Sequence, residues 1–183
     1  MSTLAGHAPV LDQLLANGVL AWALAACGAA QFGKLLVELV AHGRWRPAVL
    51  IETGGMPSSH SALVTGAAAG IGWELGFGDP LFAFAATIAF VVMYDASGVR
   101  QAAGLQARRL NRLPPQLWEA ETASTVSTAA AAGLAKPLKE SLGHTRLEVL
   151  VGSLIGPAVA LSGLALVGSP LQIAQGLGWL PAG

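Results

Sequence analysis

The sequence predicts an all-α protein, a polytopic membrane helix bundle with about four transmembrane helices plus short interfacial segments. Three observations predict this class. The 183-residue chain is 54% hydrophobic and only 11% charged, which is too apolar for an ordinary soluble domain. Several apolar segments approach the ~20 residues that cross a hydrocarbon core of ~30 Å. The Lys and Arg side chains lie at alternate ends of those segments. We therefore treat residues 1–183 as a single integral membrane domain.

Four apolar segments are predicted as the transmembrane helices. In chain order they run from Leu14 to Ala41, from Ser59 to Phe77, from Pro80 to Val99 and from Leu147 to Val167. Gly78 and Asp79 precede Pro80, a combination typical of a tight turn. The second and third helices should therefore form an antiparallel hairpin.

The remaining segments are predicted to lie outside the hydrocarbon core. A long polar stretch over 101–143 separates the third helix from the fourth. Within it, residues 121–135 are rich in Ala, Ser and Thr and too short to span, so they are interpreted as a linker or a short interfacial helix. The tail 169–183 is apolar but interrupted by Pro and Gly, which favours an interfacial position.

The distribution of cations predicts the orientation in the membrane. The N-terminus, the turn between the second and third helices, and the C-terminal tail contain no Lys or Arg. By the positive-inside rule, the opposite, cationic face is cytoplasmic and both termini face outward. The cations on that face are Lys34, Arg44, Arg46, Arg100, Arg108, Arg109, Arg112, Lys136, Lys139 and Arg146.

Two glycine pairs predict where helices pack most closely. Gly66 and Gly70 lie in the second helix, and Gly152 and Gly156 in the fourth. Small residues spaced by four let helix backbones approach in lipid, where the hydrophobic effect does not drive helices together. We therefore expect the second and fourth helices to be tightly packed.

The motif HTRLE opens the fourth helix with a histidine and a carboxylate. His144 and Glu148 are four residues apart, so on a helix both side chains point the same way. A carboxylate in this position can accept the N–H of one imidazole nitrogen and leave the other as a base or nucleophile. The alternative is an ordinary favourable His–Glu pair at a helix end.

The motif MPSSH places His60 at the start of the second helix. Pro57 with Ser58 or Ser59 is typical of a helix start. Backbone N–H groups of a first turn form a ready anion site, and the serine hydroxyls add donors. The alternative is a simple N-cap with an incidental histidine.

Two cations complete the candidate site. Lys34 lies late in the first helix, and Arg100 follows the third. Each has a structural alternative, because Lys34 can pair with Glu38 and Arg100 with Asp95. An anion-binding catalytic pocket explains why these groups and two histidines meet at one face, with the cations holding a phosphate.

Five blocks of this sequence resemble the divergent branch of the type 2 phosphatidic acid phosphatase and vanadium haloperoxidase-related superfamily. This branch consists of small integral membrane proteins, and the resemblance covers roughly residues 30–160. The blocks are QFGK at 31–34, ETGGMPSSHSA at 52–62, MYDASGVRQAAG at 93–104, LN at 110–111, and LKESLGHTRLEVLVGSLIG at 138–156.

The resemblance implies roles for particular residues. His144 would be the nucleophile that forms a phosphohistidine, Glu148 its orienter, and His60 the acid that protonates the leaving alcohol. Since no Ser-Arg precedes His144 at the superfamily's usual distance, Arg100 is the candidate phosphate clamp. The predicted phosphate-binding residues are Lys34, Arg100, Ser58 and Ser59, with Asp95 in support and Arg146 as a weaker addition.

The resulting hypothesis is a membrane phosphatase that hydrolyses a lipid phosphate or pyrophosphate at the cytoplasmic face of a bacterial inner membrane. It requires no metal or other cofactor and no nucleic acid; a homodimer is plausible for so thin a bundle. One alternative is Mg²⁺-dependent lipid phosphotransfer with Asp95, Glu148 and Glu52 as ligands. Another is a non-enzymatic protein that binds or transports an anion or lipid.

Overall fold

The computed structural model describes residues 10–50, 54–114 and 137–180. In these ranges the secondary structure is helical, with one 3₁₀ turn at Pro47–Leu50 and no strand, so the all-α prediction is confirmed. The residues predicted as a linker or short helix, 121–135, lie outside the described ranges. The helices are α1 Val10–Ala16, α2 Gly18–His42, α3 Ser59–Leu75, α4 Pro80–Ser97, α5 Val99–Leu110, α6 Arg146–Leu166 and α7 Pro170–Gly176.

Three helical runs are long and apolar enough to cross a membrane. They are Gly18–Ala41, Pro80–Leu110 and Arg146–Gly176, of 24, 31 and 31 residues. The fourth predicted span, α3, has 17 residues. It is therefore about 26 Å long, at the short end of the range for a crossing helix. The three long apolar runs support an integral membrane bundle, and α3 packs between them.

Two breaks make the observed helices differ from the predicted segments. Asn17 separates α1 from α2, and its side chain accepts a hydrogen bond from the Leu20 N–H at 2.9 Å, which caps α2. Gly98 separates α4 from α5 with non-helical angles of φ −113° and ψ −85°. The polar connection predicted to begin at residue 101 is helical at its start, because residues up to Leu110 form α5. Its buried face contains Gly104 and Ala107, and its last turn carries arginines that suit the helix dipole.

Helix α3 packs between α2, α4 and α6. It runs parallel to α6, because their contacts advance together along both helices: Gly152 faces Ser58, Gly156 faces Gly66, and Leu164 faces Gly70. A Cβ on Gly66 would lie 3.2 Å from the Gly156 carbonyl oxygen. The close packing predicted from the two glycine pairs is confirmed.

The bundle has two distinct ends. At one end, the Trp22 indole N–H donates to the Gly168 carbonyl at 2.8 Å, and the tail continues as α7. At the other end, which we call the polar end, α2 approaches the start of α3: a Cβ on Gly33 would lie 3.3 Å from the Pro57 ring. The C-terminal end of α4 and the N-terminal ends of α3 and α6 also meet at the polar end. The candidate site lies there.

Candidate active site at the polar end

Backbone hydrogen bonds bring the site-bearing segments together. The Ser58 N–H donates to the Glu148 carbonyl at 3.0 Å, which joins the start of α3 to the first turn of α6. The His144 N–H donates to the Ala96 carbonyl at 2.9 Å, which joins the residue before α6 to the end of α4. Ser58 and Glu148, which are 90 positions apart in sequence, are therefore held together at one end of the bundle.

His144 is buried, with 3% of its surface exposed, and is held by Glu148. Its Nδ1 lies 2.9 Å from Glu148 Oε2. The same carboxylate oxygen accepts the Thr145 N–H at 3.1 Å, and the Thr145 hydroxyl accepts the Glu148 N–H at 3.3 Å, which completes a capping box. The cap fixes Glu148, and Glu148 in turn orients the imidazole of His144.

The second ring nitrogen of His144 is the unusual atom of this site. Nε2 is buried and has no hydrogen-bond partner among the described residues. Buried polar atoms are nearly always hydrogen-bonded, so an unpartnered one calls for an explanation. In the tautomer that donates Nδ1–H to Glu148, Nε2 carries the lone pair that a nucleophile requires.

His60 and His144 face the same pocket. Their ring centroids are 6.4 Å apart, with the ring planes inclined at 58°. The pocket has a volume of about 230 Å³ and is lined on its polar side by His60, His144, Asp95 and Arg100. The tertiary structure thus brings together four candidate residues from α3, α4, α5 and the segment before α6.

The two predicted phosphate-binding cations occupy different environments. Arg100 lines the pocket, is exposed, and pairs with Asp95 through Nε and Oδ2 at 2.5 Å, as the structural alternative predicted. Lys34 is buried at 4% exposure within α2. The charges of both cations act on the imidazole of His60. Glu38, the alternative partner considered for Lys34, lies 3.7 Å from Arg46 Nη1.

The predicted serines lie behind the pocket. Ser58 is fully buried, and its hydroxyl accepts the Ser61 N–H at 3.3 Å and the Ser61 hydroxyl at 2.9 Å. It is therefore the N-cap of α3. Ser59 is 3% exposed. With both side chains buried, any contribution of this turn to anion binding comes from its backbone N–H groups.

Arg146 is not among the residues that line the histidine pocket and instead lines a second, larger space. This apolar groove, between α4 and α6, has a volume of about 810 Å³. It adjoins the histidine pocket, because Val91 and Asp95 line both. Apolar side chains such as Phe90, Tyr94 and Leu150 form most of its wall.

The carboxylates considered as metal ligands pair with other side chains of the site instead. Asp95 pairs with Arg100, and Glu148 with His144. In the described part of the chain, no group of three or more His, Cys, Asp and Glu side chains is placed to hold a metal ion. Glu52, the third proposed ligand, lies outside the described residues.

Sequence reasoning missed the contribution of α5 and the segment before His144. Asn111, Arg108 and Glu140 form hydrogen bonds that fasten this segment to α5. The sequence blocks at 93–104, 110–111 and 138–156 cover parts of these segments, but they indicated a resemblance and no contact.

Comparison with known proteins agrees with this architecture. A family model described as the Divergent PAP2 family matches residues 15–159. The chain is 39% identical over 150 residues to the uncharacterized membrane protein YuiD of Bacillus subtilis (strain 168), covering 81% of this chain and 95% of that relative. No solved structure matches the chain. The resemblance seen in the sequence blocks is confirmed, and this chain is a membrane protein that belongs to the Divergent PAP2 family.

Proposed function

We propose that this protein is a phosphatase that hydrolyses a lipid phosphate or pyrophosphate through a phosphohistidine, at the cytoplasmic face of the membrane. One observation carries the proposal: the buried His144 is oriented by Glu148 through Nδ1, while its Nε2 has no partner among the described residues. A fixed imidazole with one unengaged nitrogen, beside a second histidine and an arginine, is suited to nucleophilic attack on phosphorus.

The proposed reaction has two steps. In the first, Nε2 of His144 attacks phosphorus in line, a P–N bond forms, and the P–O bond to the alcohol breaks. His60 donates a proton to the departing oxygen. In the second, water attacks phosphorus, the P–N bond breaks, and inorganic phosphate leaves. The water's proton passes to His60, which restores the starting protonation state.

Positive charge stabilises the transition state in both steps. The negative charge of a transferring phosphoryl group is spread over its equatorial oxygens. Arg100 lines the pocket, Lys34 contributes positive charge from α2, and the first turn of α3 points its N–H groups toward this end. Their combined field lowers the barrier most where water is excluded.

The apolar groove supports a lipid as the substrate. The groove of about 810 Å³ between α4 and α6 adjoins the histidine pocket at Val91 and Asp95. A molecule with its phosphate beside His144 can place a hydrocarbon chain along this groove. Arg146, at the start of α6, lies where it can contact the polar part of such a lipid.

A substrate panel tests the proposal. The purified protein should release phosphate from at least one of phosphatidate, phosphatidylglycerophosphate and the prenyl phosphates or pyrophosphates, and much less from glycerol 3-phosphate. Release should persist in excess chelator. Failure to release phosphate from every member of the panel would refute the proposal. Activity lost with chelator and restored by Mg²⁺ would favour the phosphotransfer alternative.

Replacing Glu148 by Gln should slow the reaction by roughly 10²- to 10⁴-fold, because the amide lacks the charge that orients and stabilises the imidazolium of His144. The measurement is kcat on the best substrate of the panel.

Thr145→Ala is the matched control for the same helical turn. It removes the hydroxyl that caps α6 and should cost about 1 kcal/mol of stability. The bond from the backbone N–H of residue 145 to Glu148 Oε2 is kept in this variant, so Glu148 still orients His144 and kcat should stay close to the wild-type value. Equal kcat losses in both variants would show that Glu148 acts only through the cap.

A further inference from the structure

Residues 138–144 run antiparallel along α5. The contacts proceed in order: residue 138 meets the end of α5 at Asn111, and residues 140 and 142 lie against Gly104. Gly143 lies against Gln101 near the start of α5, and His144 then bonds to the end of α4. The nucleophile is thus the last residue of an extended segment held along its length by one helix.

Asn111 fixes the far end of this segment with three hydrogen bonds. Its Oδ1 accepts the Leu138 N–H at 2.9 Å, and its Nδ2 donates to the Leu138 carbonyl at 2.9 Å. The same Nδ2 donates to Glu140 Oε1 at 2.9 Å, while Arg108 Nε lies 3.3 Å from Glu140 Oε2. A single amide therefore engages both backbone groups of one residue, as a neighbouring β-strand would.

Glu140 is ionised in this arrangement at neutral pH. The hydrogen bond from Asn111 lowers the pKa of the Glu140 carboxyl below its ordinary value of 4.5, and the hydrogen bond and charge of Arg108 and the charge of Arg112 act in the same direction. The charge-assisted bond from Asn111 is accordingly stronger than a neutral one.

The rest of the segment has little freedom to shift. A Cβ on Gly104 would lie 2.6 Å from the Leu142 carbonyl oxygen and 2.9 Å from that of Glu140. Gly143 has φ +83°, and a Cβ there would overlap the Gln101 backbone. Backbone lies directly on backbone, so a displacement at residue 138 is carried along the segment toward His144.

We propose that Asn111 is a positioning residue for the reaction: by holding residues 138–140 on α5, it sets the place of His144 relative to Arg100, which the same helix carries. This inference rests on the proposed phosphatase function. Helix α5 would then carry Arg100, which holds the phosphate, and would also support His144, the nucleophile. Displacing a reacting group by about 1 Å can cost roughly 100-fold in rate.

Asn111→Asp is the sharpest variant, because it keeps the shape of the side chain and turns its donor into an acceptor. The introduced oxygen faces the Leu138 carbonyl and the Glu140 carboxylate, so the segment should be pushed from α5. We expect kcat to fall about tenfold or more. KM should stay within about twofold, because Arg100 and the apolar groove are unchanged.

A pH series separates positioning from general damage to the fold. Two adjacent carboxyls share a proton, and the pKa of one is raised. As pH falls from about 8 to about 5, the shared proton should restore a donor, so the ratio of Asn111→Asp to wild-type kcat should rise. Adding Glu140→Gln to Asn111→Asp supplies an amide donor from the opposite side and should recover part of kcat at neutral pH.

Arg109→Ala is the matched control on the same turn of α5. Arg109 is exposed. It does not line the histidine pocket, and it is not one of the residues that fasten residues 138–140 to α5. Its kcat and KM should equal those of the wild type. If Asn111→Asp behaves like this control, the proposal is wrong. A raised KM with unchanged kcat would also overturn it, since Asn111 would then act in binding.

Nuclear magnetic resonance of the imidazole nitrogens provides a readout that does not require turnover. The chain has four histidines, and the signals of His144 are identified by their loss in His144→Gln. We expect them to shift in Asn111→Asp and not in Arg109→Ala. If Asn111→Asp does not fold, Asn111→Ser replaces it, with the same expected direction.

The two proposals fail in different ways. A wild-type protein without phosphatase activity would refute the proposed function, while the imidazole signals would still decide whether Asn111 positions His144. Unmoved His144 signals, or a kcat loss that is constant across the pH series, would overturn the positioning role even if the protein is a phosphatase.

Discussion

Replacing His144 by alanine is expected to reduce phosphate release by at least roughly 10³-fold, because covalent catalysis loses its nucleophile. The ring is held on one side by Glu148 at 2.9 Å, and no other described side chain in the pocket offers an imidazole oriented in this way. The measurement is phosphate release from the best lipid substrate, together with label retained on the protein after an alkaline quench, since a phosphohistidine survives base.

His60→Ala is the informative comparison, because the two histidines have different proposed roles in one pocket. Loss of the acid should slow release of an alcohol by roughly 10²- to 10⁴-fold. The same substitution should slow the hydrolysis of an aryl phosphate much less, because that leaving group needs no proton. His144→Ala should be inactive on both substrates. Retained labelling or undiminished turnover in His144→Ala would contradict the proposed mechanism.

Replacing Gly152 by alanine is expected to destabilise the bundle by about 1–3 kcal/mol, as overpacking does in a filled core. A Cβ at this position would overlap the carbonyl oxygen of Ser58, which is backbone at the N-cap of α3 and cannot rotate away. Helix α6 must then move from α3. Because Ser58 also bonds to Glu148, the same movement separates His60 from His144, and activity should fall with stability.

Gly28→Ala is the matched control for this prediction. Gly28 is an exposed glycine within α2, and a Cβ there would meet no atom within 4 Å. Alanine is the better helix former by about 1 kcal/mol, so this variant should be neutral or slightly stabilised. Thermal unfolding in the same detergent measures both variants. A Gly152→Ala midpoint equal to that of Gly28→Ala would show that α3 and α6 pack less closely than described.

The features predictable from sequence were those that depend on regular spacing. The contact between His144 and Glu148 was predicted from their spacing of four on a helix. The contact is present, but His144 precedes the Thr145 N-cap, so Glu148 reaches it across the capping box rather than along a helix face. The glycine pair at Gly152 and Gly156 was predictable for the same reason, since spacing by four keeps both residues on one face. Spacing by four predicted both contacts, although only the glycine pair lies within a helix.

The features that sequence could not predict depend on the path of the chain between helices. Helix α5 follows a break at Gly98, and its polar composition is typical of a connection between membrane helices. Asn111 acts on residues 27 and 29 positions later, Leu138 and Glu140, and no spacing rule connects them. Ser58 was predicted to bind phosphate, yet its burial commits the hydroxyl to capping α3.

The sequence by itself determined that this is an apolar helical protein of the membrane, with His60 and His144 near predicted helix starts. Those properties depend on composition and short-range spacing. The thickness of the bilayer sets the length of a spanning helix, and helix geometry sets which residues share a face. Only the tertiary structure decided that His60 and His144 share one pocket with Arg100, and that α5 supports His144. These depend on non-local backbone contacts, in which glycines let separate segments approach to van der Waals distance.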